Sequence, residues 1–194
     1  MNKNHHLIVV PGLNGSNFLF QAILKLLQLY GYQVTVFEPH WKTSEALEIK
    51  ISRLNKAIKD IDHNNKLSLL GTSAGGSLVI NVFSKQNKRI HKVVNVCGRL
   101  RAGKNVKPTL KNASKRSKSF EQSVLLCEAE QKNLSQNAKS NILTIRPLFD
   151  EIVPTSTVSI EGAVNKQIIA IEHMISIILA LTMYFNIIDQ FLTD

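Results

Sequence analysis

Six short segments that read as strands, spaced along 194 residues and separated by longer stretches, constrain the fold of this chain more than any other feature. The first, at 7–10, reads Leu-Ile-Val-Val and stops at Pro11-Gly12. A run so short and unbroken suits a strand buried on both faces. The others fall at 33–37, 67–70, 91–96, 142–145 and 167–170. Residues 17–30 between the first two have helical spacing and end at Gly31, a natural helix stop. Thr43 or Ser44 is expected to cap a second helix, in which Leu47, Ile51, Leu54, Ile58 and Ile61 recur at helical intervals. A third helix puts Leu78, Val79, Val82 and Phe83 on one side. The stretch 97–140 is polar and basic, with helical character in its second half, and a long apolar helix runs from Met174 to about Leu192.

Strands that alternate with helices imply βαβ units. The expected fold class is α/β: a three-layer sandwich around a mainly parallel sheet of about six strands, in a single domain over residues 1–194. Residues 98–139 are the candidate for a small basic cap or lid. The terminal apolar stretch from Met174 to Ile188 is 15 residues long, and a bilayer takes about 20. It is expected to lie on the sheet, with no membrane span. An apolar content of 44% with 20% charged residues suits a globular chain able to bury a core.

The net charge of +10 is local. Eight basic residues and no acidic one lie between Arg99 and Lys118, and they account for all but two of that charge. Such a run can attract anions, but no aromatic residues are interleaved with it, so no nucleic-acid partner is expected. Cys97 and Cys127 form no metal or redox motif. Two free thiols and an N-terminus without a long apolar leader lead to the expectation of a cytoplasmic protein. Whether it is a monomer or a homodimer is left open.

The chemistry starts at Gly71-Thr72-Ser73-Ala74-Gly75, between an expected strand and an expected helix. A serine at so sharp a turn needs strained backbone, and the flanking glycines let strand and helix approach. Its oxygen would emerge at the C-terminal edge of the sheet, where open α/β sheets place ligands. A serine hydroxyl needs a base and an orienting carboxylate. Of six histidines only His91 and His173 follow Ser73, and His91 opens a strand at the far edge. His173 comes directly after the last strand, on the serine's edge. Asp150 lies shortly beyond the strand at 142–145, with Glu151 as the neighbouring alternative.

"GTSAGG", then "FDEIVP", then "IEHM", in the order Ser, Asp, His, resemble the α/β-hydrolase superfamily, and "VVPGLNG" resembles its oxyanion loop. The resemblance covers nearly the whole chain and suggests a small, pared-down serine esterase or lipase-like member. It implies Ser73 as nucleophile, Asp150 as acid and His173 as base, with an oxyanion hole from the backbone N–H groups of Leu13 and Ala74. No metal or organic cofactor is implied. The expected substrate is a small to medium carboxylic ester. The same triad acting on lactones, thioesters or peptides is one alternative, and a non-catalytic hydrolase-like module for anionic partners is another. A basic cap would favour anionic substrates or lactones with polar head groups. Asn14, Thr72, His40 and Trp41 are the candidate pocket residues, and Trp41 could equally pack beneath the loop.

Overall fold

The computed structural model describes residues 4–86 and 88–194. Six strands form one sheet: β1 (His5–Val10), β2 (Gln33–Val36), β3 (Lys66–Thr72), β4 (Lys92–Val96), β5 (Ile142–Phe149) and β6 (Val164–Ile171). Their order is β2-β1-β3-β4-β5-β6, and every neighbouring pair is parallel. Side chains alternate between two cores, as the pleat demands. Ile8, Val10, Leu67, Leu69 and Val93 face one layer. Leu7, Val9, Leu70, Val94 and Leu143 face the other.

The first layer holds α2 (Leu47–Lys59), α3 (Gly75–Gln86) and α5 (Lys118–Glu130). The second holds α1 (Phe18–Leu29), α7 (His173–Leu181) and α8 (Phe185–Thr193). Two short helices, α4 (Leu110–Ala113) and α6 (Gln136–Ser140), flank α5. The strand order reverses between β1 and β3, and the loops at their C-terminal ends meet there. That is the crevice where such sheets bind ligands.

Several expectations need correction. The strands β3, β5 and β6 are longer than the apolar runs that announce them. Neither Thr43 nor Ser44 caps α2, whose N-cap is Ala46 with no side-chain bond. Instead the buried Lys50 ammonium donates to the carbonyls of Pro39 and His40, both at 2.9 Å, and to Thr43 Oγ1 and Glu45 at 3.2 Å. These bonds hold 39–45 as a turn and delay the helix. The terminal apolar helix is two helices, α7 and α8, bent by 52°. Thr182 Oγ1 donates to the Ile178 carbonyl at 2.7 Å near the break, and the bend keeps both helices against the second core. No single helix among the described residues is long and apolar enough to cross a membrane; the bent pair reaches that length and composition only jointly.

Within 98–139, α5 supplies the crossover between the parallel strands β4 and β5. It packs Phe120, Val124 and Cys127 into the first core. Ser123 Oγ sits 2.8 Å from Ser77 Oγ of α3, and Asn81 donates to the Ser123 carbonyl at 2.9 Å. Arg99, at the start of the basic run, is buried and donates to the carbonyls of Arg101, Ala102 and Pro108. It thereby folds the loop ahead of α4.

Candidate active site

Ser73 follows the last residue of β3 and stands at φ +52°, in the left-handed region that a residue with a Cβ rarely adopts. Such strain costs of order 1–3 kcal/mol and persists only where surroundings over-determine it. Here the Ser73 N–H donates to the Val96 carbonyl of β4 at 3.0 Å, and its own carbonyl accepts from Gly76 at 3.0 Å. The two glycines of the motif are required by close approach. A Cβ on Gly71 would come within 2.5 Å of the Gly75 backbone, and one on Gly75 would overlap the Val10 carbonyl oxygen.

His173 is the first residue of α7 and is buried. It follows Glu172, which has φ +77° and whose carboxylate accepts from the Ile175 N–H at 2.7 Å. That bond, first among several, holds the Glu172 carboxyl below the usual carboxylate range. Asp150 follows β5. Its Oδ1 accepts from the backbone N–H groups of Ile152 at 2.9 Å and Val153 at 2.7 Å. Its Oδ2 lies 2.7 Å from His173 Nδ1. On the other side of the ring, Nε2 lies 2.9 Å from Ser73 Oγ. With Nδ1–H donating to the carboxylate, Nε2 carries a free lone pair for the Ser73 hydroxyl.

Asp150 and Glu151 now separate. The Glu151 carboxylate accepts from the backbone N–H of His173 at 3.0 Å and does not touch the ring. The structure therefore joins Ser73, His173 and Asp150 into one hydrogen-bonded chain, drawn from three loops at the same sheet edge. Leu13 and Ala74 flank it, and among the described residues neither of their N–H groups donates to a protein acceptor. The loop that carries Leu13 is pressed onto the serine: a Cβ on Gly12 would come 2.8 Å from Ser73 Cβ.

A cavity of about 300 Å³ opens over Ser73 and His173. Asn14 and Thr72 line it, as the sequence suggests. His40 and Trp41 do not; they line a neighbouring recess of about 350 Å³ with Glu38 and Thr43. The Trp41 indole is buried, donates to the Pro11 carbonyl at 3.1 Å and meets Phe120 edge-on, so it packs beneath the loop. The walls that sequence reasoning missed are Phe20, Ile23, Ile152, Met174, Ile177 and Ile178, with Lys42 and Arg116 beside them. Exposed Met174 and Ile152, each next to a candidate residue of the site, were the available signal.

Both cysteines are free and buried, and burial first of all raises their thiol pKa values, that of Cys127 to about 12. Among the described residues no group of three His, Cys, Asp or Glu side chains is placed to hold a metal ion.

A parallel six-stranded sheet with a strained serine after β3 is an α/β-hydrolase fold, and solved structures of that fold superpose on almost the whole chain. One belongs to the metagenome-derived lipolytic enzymes LipS and LipT, with a TM-score of 0.68 at 13% identity over 99% of this chain and 93% of that one. A monoacylglycerol lipase from Paleococcus ferrophilus gives 0.67 at 13% identity, over 99% and 95%. The thioesterase domain from the curacin biosynthetic pathway gives 0.66 at 12% identity, over 97% and 93%. No protein-family model matches the sequence, and neither does any curated protein.

Proposed function

We propose that the protein is a serine hydrolase that cleaves small to medium carboxylic esters through an acyl-enzyme on Ser73. The observation that carries this reading is the chain of hydrogen bonds from Asp150 through His173 to Ser73, at 2.7 and 2.9 Å. Ser73 Oγ attacks the substrate carbonyl carbon as its proton passes to His173 Nε2. Asp150 holds the ring in the tautomer with Nδ1 protonated and stabilises the imidazolium that forms. The carbonyl oxygen, now an anion, accepts from the N–H groups of Leu13 and Ala74. The tetrahedral intermediate collapses as His173 returns the proton to the leaving alkoxide, which departs as the alcohol. Water then repeats the sequence on the acyl-enzyme: His173 takes its proton, and the acid leaves while Ser73 regains its hydroxyl.

The cavity supports an acyl group of modest size. A volume of about 300 Å³ holds about ten non-hydrogen atoms at the ~30 Å³ that a water occupies in the liquid. The reading as a passive module for anionic partners leaves the strained Ser73 backbone and the aligned histidine without a use.

Hydrolysis of p-nitrophenyl butyrate by wild type and Ser73→Ala tests the proposal. The expected result is loss of all but background turnover in the variant, with a fluorophosphonate adduct on Ser73 in the wild type. Equal rates in the two proteins would refute it.

A further inference from the structure

The charged side chains lining the cavity, other than His173, are Lys42 and Arg116; no carboxylate lines it. Glu38 shares the neighbouring recess with Lys42, and the acids around the cavity accept hydrogen bonds from other groups. Glu38 accepts from Ser16, Glu151 from the His173 N–H, and Asp150 from His173 and two backbone N–H groups. Ion pairs among the described residues join Glu45 to Lys50 and Arg53, and Asp150 to His173. The Lys42 ammonium donates to Asn14 Oδ1 at 3.2 Å, which holds it over the loop that carries Leu13. Arg116 makes no hydrogen bond or ion pair with the described residues. Two cations thus face one cleft with no anion between them.

Their place in the fold gives the cleft two unlike sides. Lys42 leads into α2 and Arg116 into α5, helices of the first layer. The apolar wall comes from Phe20 and Ile23 of α1 and from Met174, Ile177 and Ile178 of α7, in the second layer. Ser73 stands between the layers.

Resting on the serine-hydrolase reading above, we infer that the substrate is amphipathic: one half of the ester or thioester is apolar and lies against α1 and α7, while the other carries a carboxylate or phosphate held by Lys42 and Arg116. A guanidinium fork meets either oxyanion with two parallel hydrogen bonds, and an ammonium adds a point charge. The small cavity puts the anionic group within a few bonds of the reacting carbonyl.

The experiment compares kcat/KM within two matched pairs. Mono-p-nitrophenyl glutarate against p-nitrophenyl butyrate places the charge on the acyl half. S-butyryl 3-mercaptopropionate against S-butyryl 3-mercaptopropanamide places it on the leaving half. In one pair the anionic member is expected to be preferred roughly three- to tenfold, the size of two partly exposed ion pairs. That preference is expected to shrink as salt rises and to vanish in the double variant Lys42→Gln, Arg116→Gln; the pair that shows it identifies the anionic half. No preference in either pair, or one unchanged in the double variant, overturns the inference. If the wild type still takes a fluorophosphonate on Ser73 and cleaves the neutral esters, only the inference has failed. If it does neither, the hydrolase reading has failed and this one with it.

Discussion

Replacing Asp150 with asparagine separates orientation from mere contact. In the native site Oδ1 accepts two backbone N–H groups, from Ile152 and Val153, and Oδ2 accepts the His173 Nδ1–H. An asparagine has one acceptor oxygen for these three donors. Turning its amide nitrogen toward the two N–H groups would strand both, at about 1–3 kcal/mol each in a buried place. The oxygen therefore stays on the loop and the NH₂ faces His173. The amide then donates to Nδ1, the ring proton moves to Nε2, and Nε2 no longer accepts from Ser73 Oγ. A base in the wrong tautomer costs about 10⁴-fold in kcat, or about 5.5 kcal/mol in the barrier. The variant is isosteric and is expected to melt within a few degrees of wild type. Turnover of p-nitrophenyl butyrate gives the rate, and ¹⁵N spectra of the His173 ring give the tautomer. A folded Asp150→Asn protein with kcat within tenfold of wild type, or with the proton still on Nδ1, would refute the reasoning. Glu151→Gln is the contrast. Its side chain keeps an oxygen for the His173 N–H and never meets the ring, so a loss below about tenfold is expected.

Gly75→Ala puts a methyl carbon into the Val10 carbonyl oxygen and 2.8 Å from its carbon, backbone that cannot move without parting β1 from α3. A loss of about 3 kcal/mol is expected, read as a lower urea midpoint; an unchanged midpoint would contradict the packing described. Burial, reinforced by Lys66 and Lys92, holds the His91 imidazole below its ordinary 6.5, and burial does the same for His6. The folded state thus favours the neutral rings, while the unfolded chain takes up protons as pH falls through about 6.5. Stability from this source is complete above that pH and declines below it. His91→Gln is expected to flatten the fall in Tm between about pH 7.5 and 5.5; parallel Tm curves for variant and wild type would contradict it.

Much of this was legible in the sequence because the physics acts locally. Strands buried on both faces are mostly apolar, so the run at 7–10 and, apart from the buried Ser68, that at 67–70 betray β1 and β3. A serine at positive φ between glycines 71 and 75 leaves a pattern, and the chain order fixes which edge Asp150 and His173 reach. What was hidden is not local. Phe20 and Ile177 look like core residues, since a pocket wall and a core face share one helical spacing. Lys42 and Arg116 are far apart in sequence, and only the strand order brings them to one cleft. Thr43 and Ser44 are good capping residues, but Lys50 claims the turn. No glycine or proline marks the break after Leu181; the sheet face that α7 and α8 both cover sets the bend. Within 98–139 the basic composition said nothing of the crossover that a parallel β4–β5 pair needs, and α5 meets that need.

The division of the cleft follows from the same topology. The chain reverses its winding between β1 and β3, so each helix layer brings its own connections to the rim beside Ser73. The second layer contributes helix faces, α1 and α7, whose apolar stripes continue upward from the core. The first contributes the segments that lead into α2 and α5, and these are anchored from below. Lys50 pins 39–45 through four oxygens, and Arg99 pins 101–108 through three carbonyls. The buried Lys50 thus holds in place the turn whose other cation, Lys42, faces the cleft, while Arg99 folds the loop ahead of α4, and Arg116 follows that helix. Neither anchor touches Ser73, His173 or Asp150. Substitutions at Lys42 and Arg116 would therefore change the basic side of the pocket without disturbing the hydrogen bonds that align the serine.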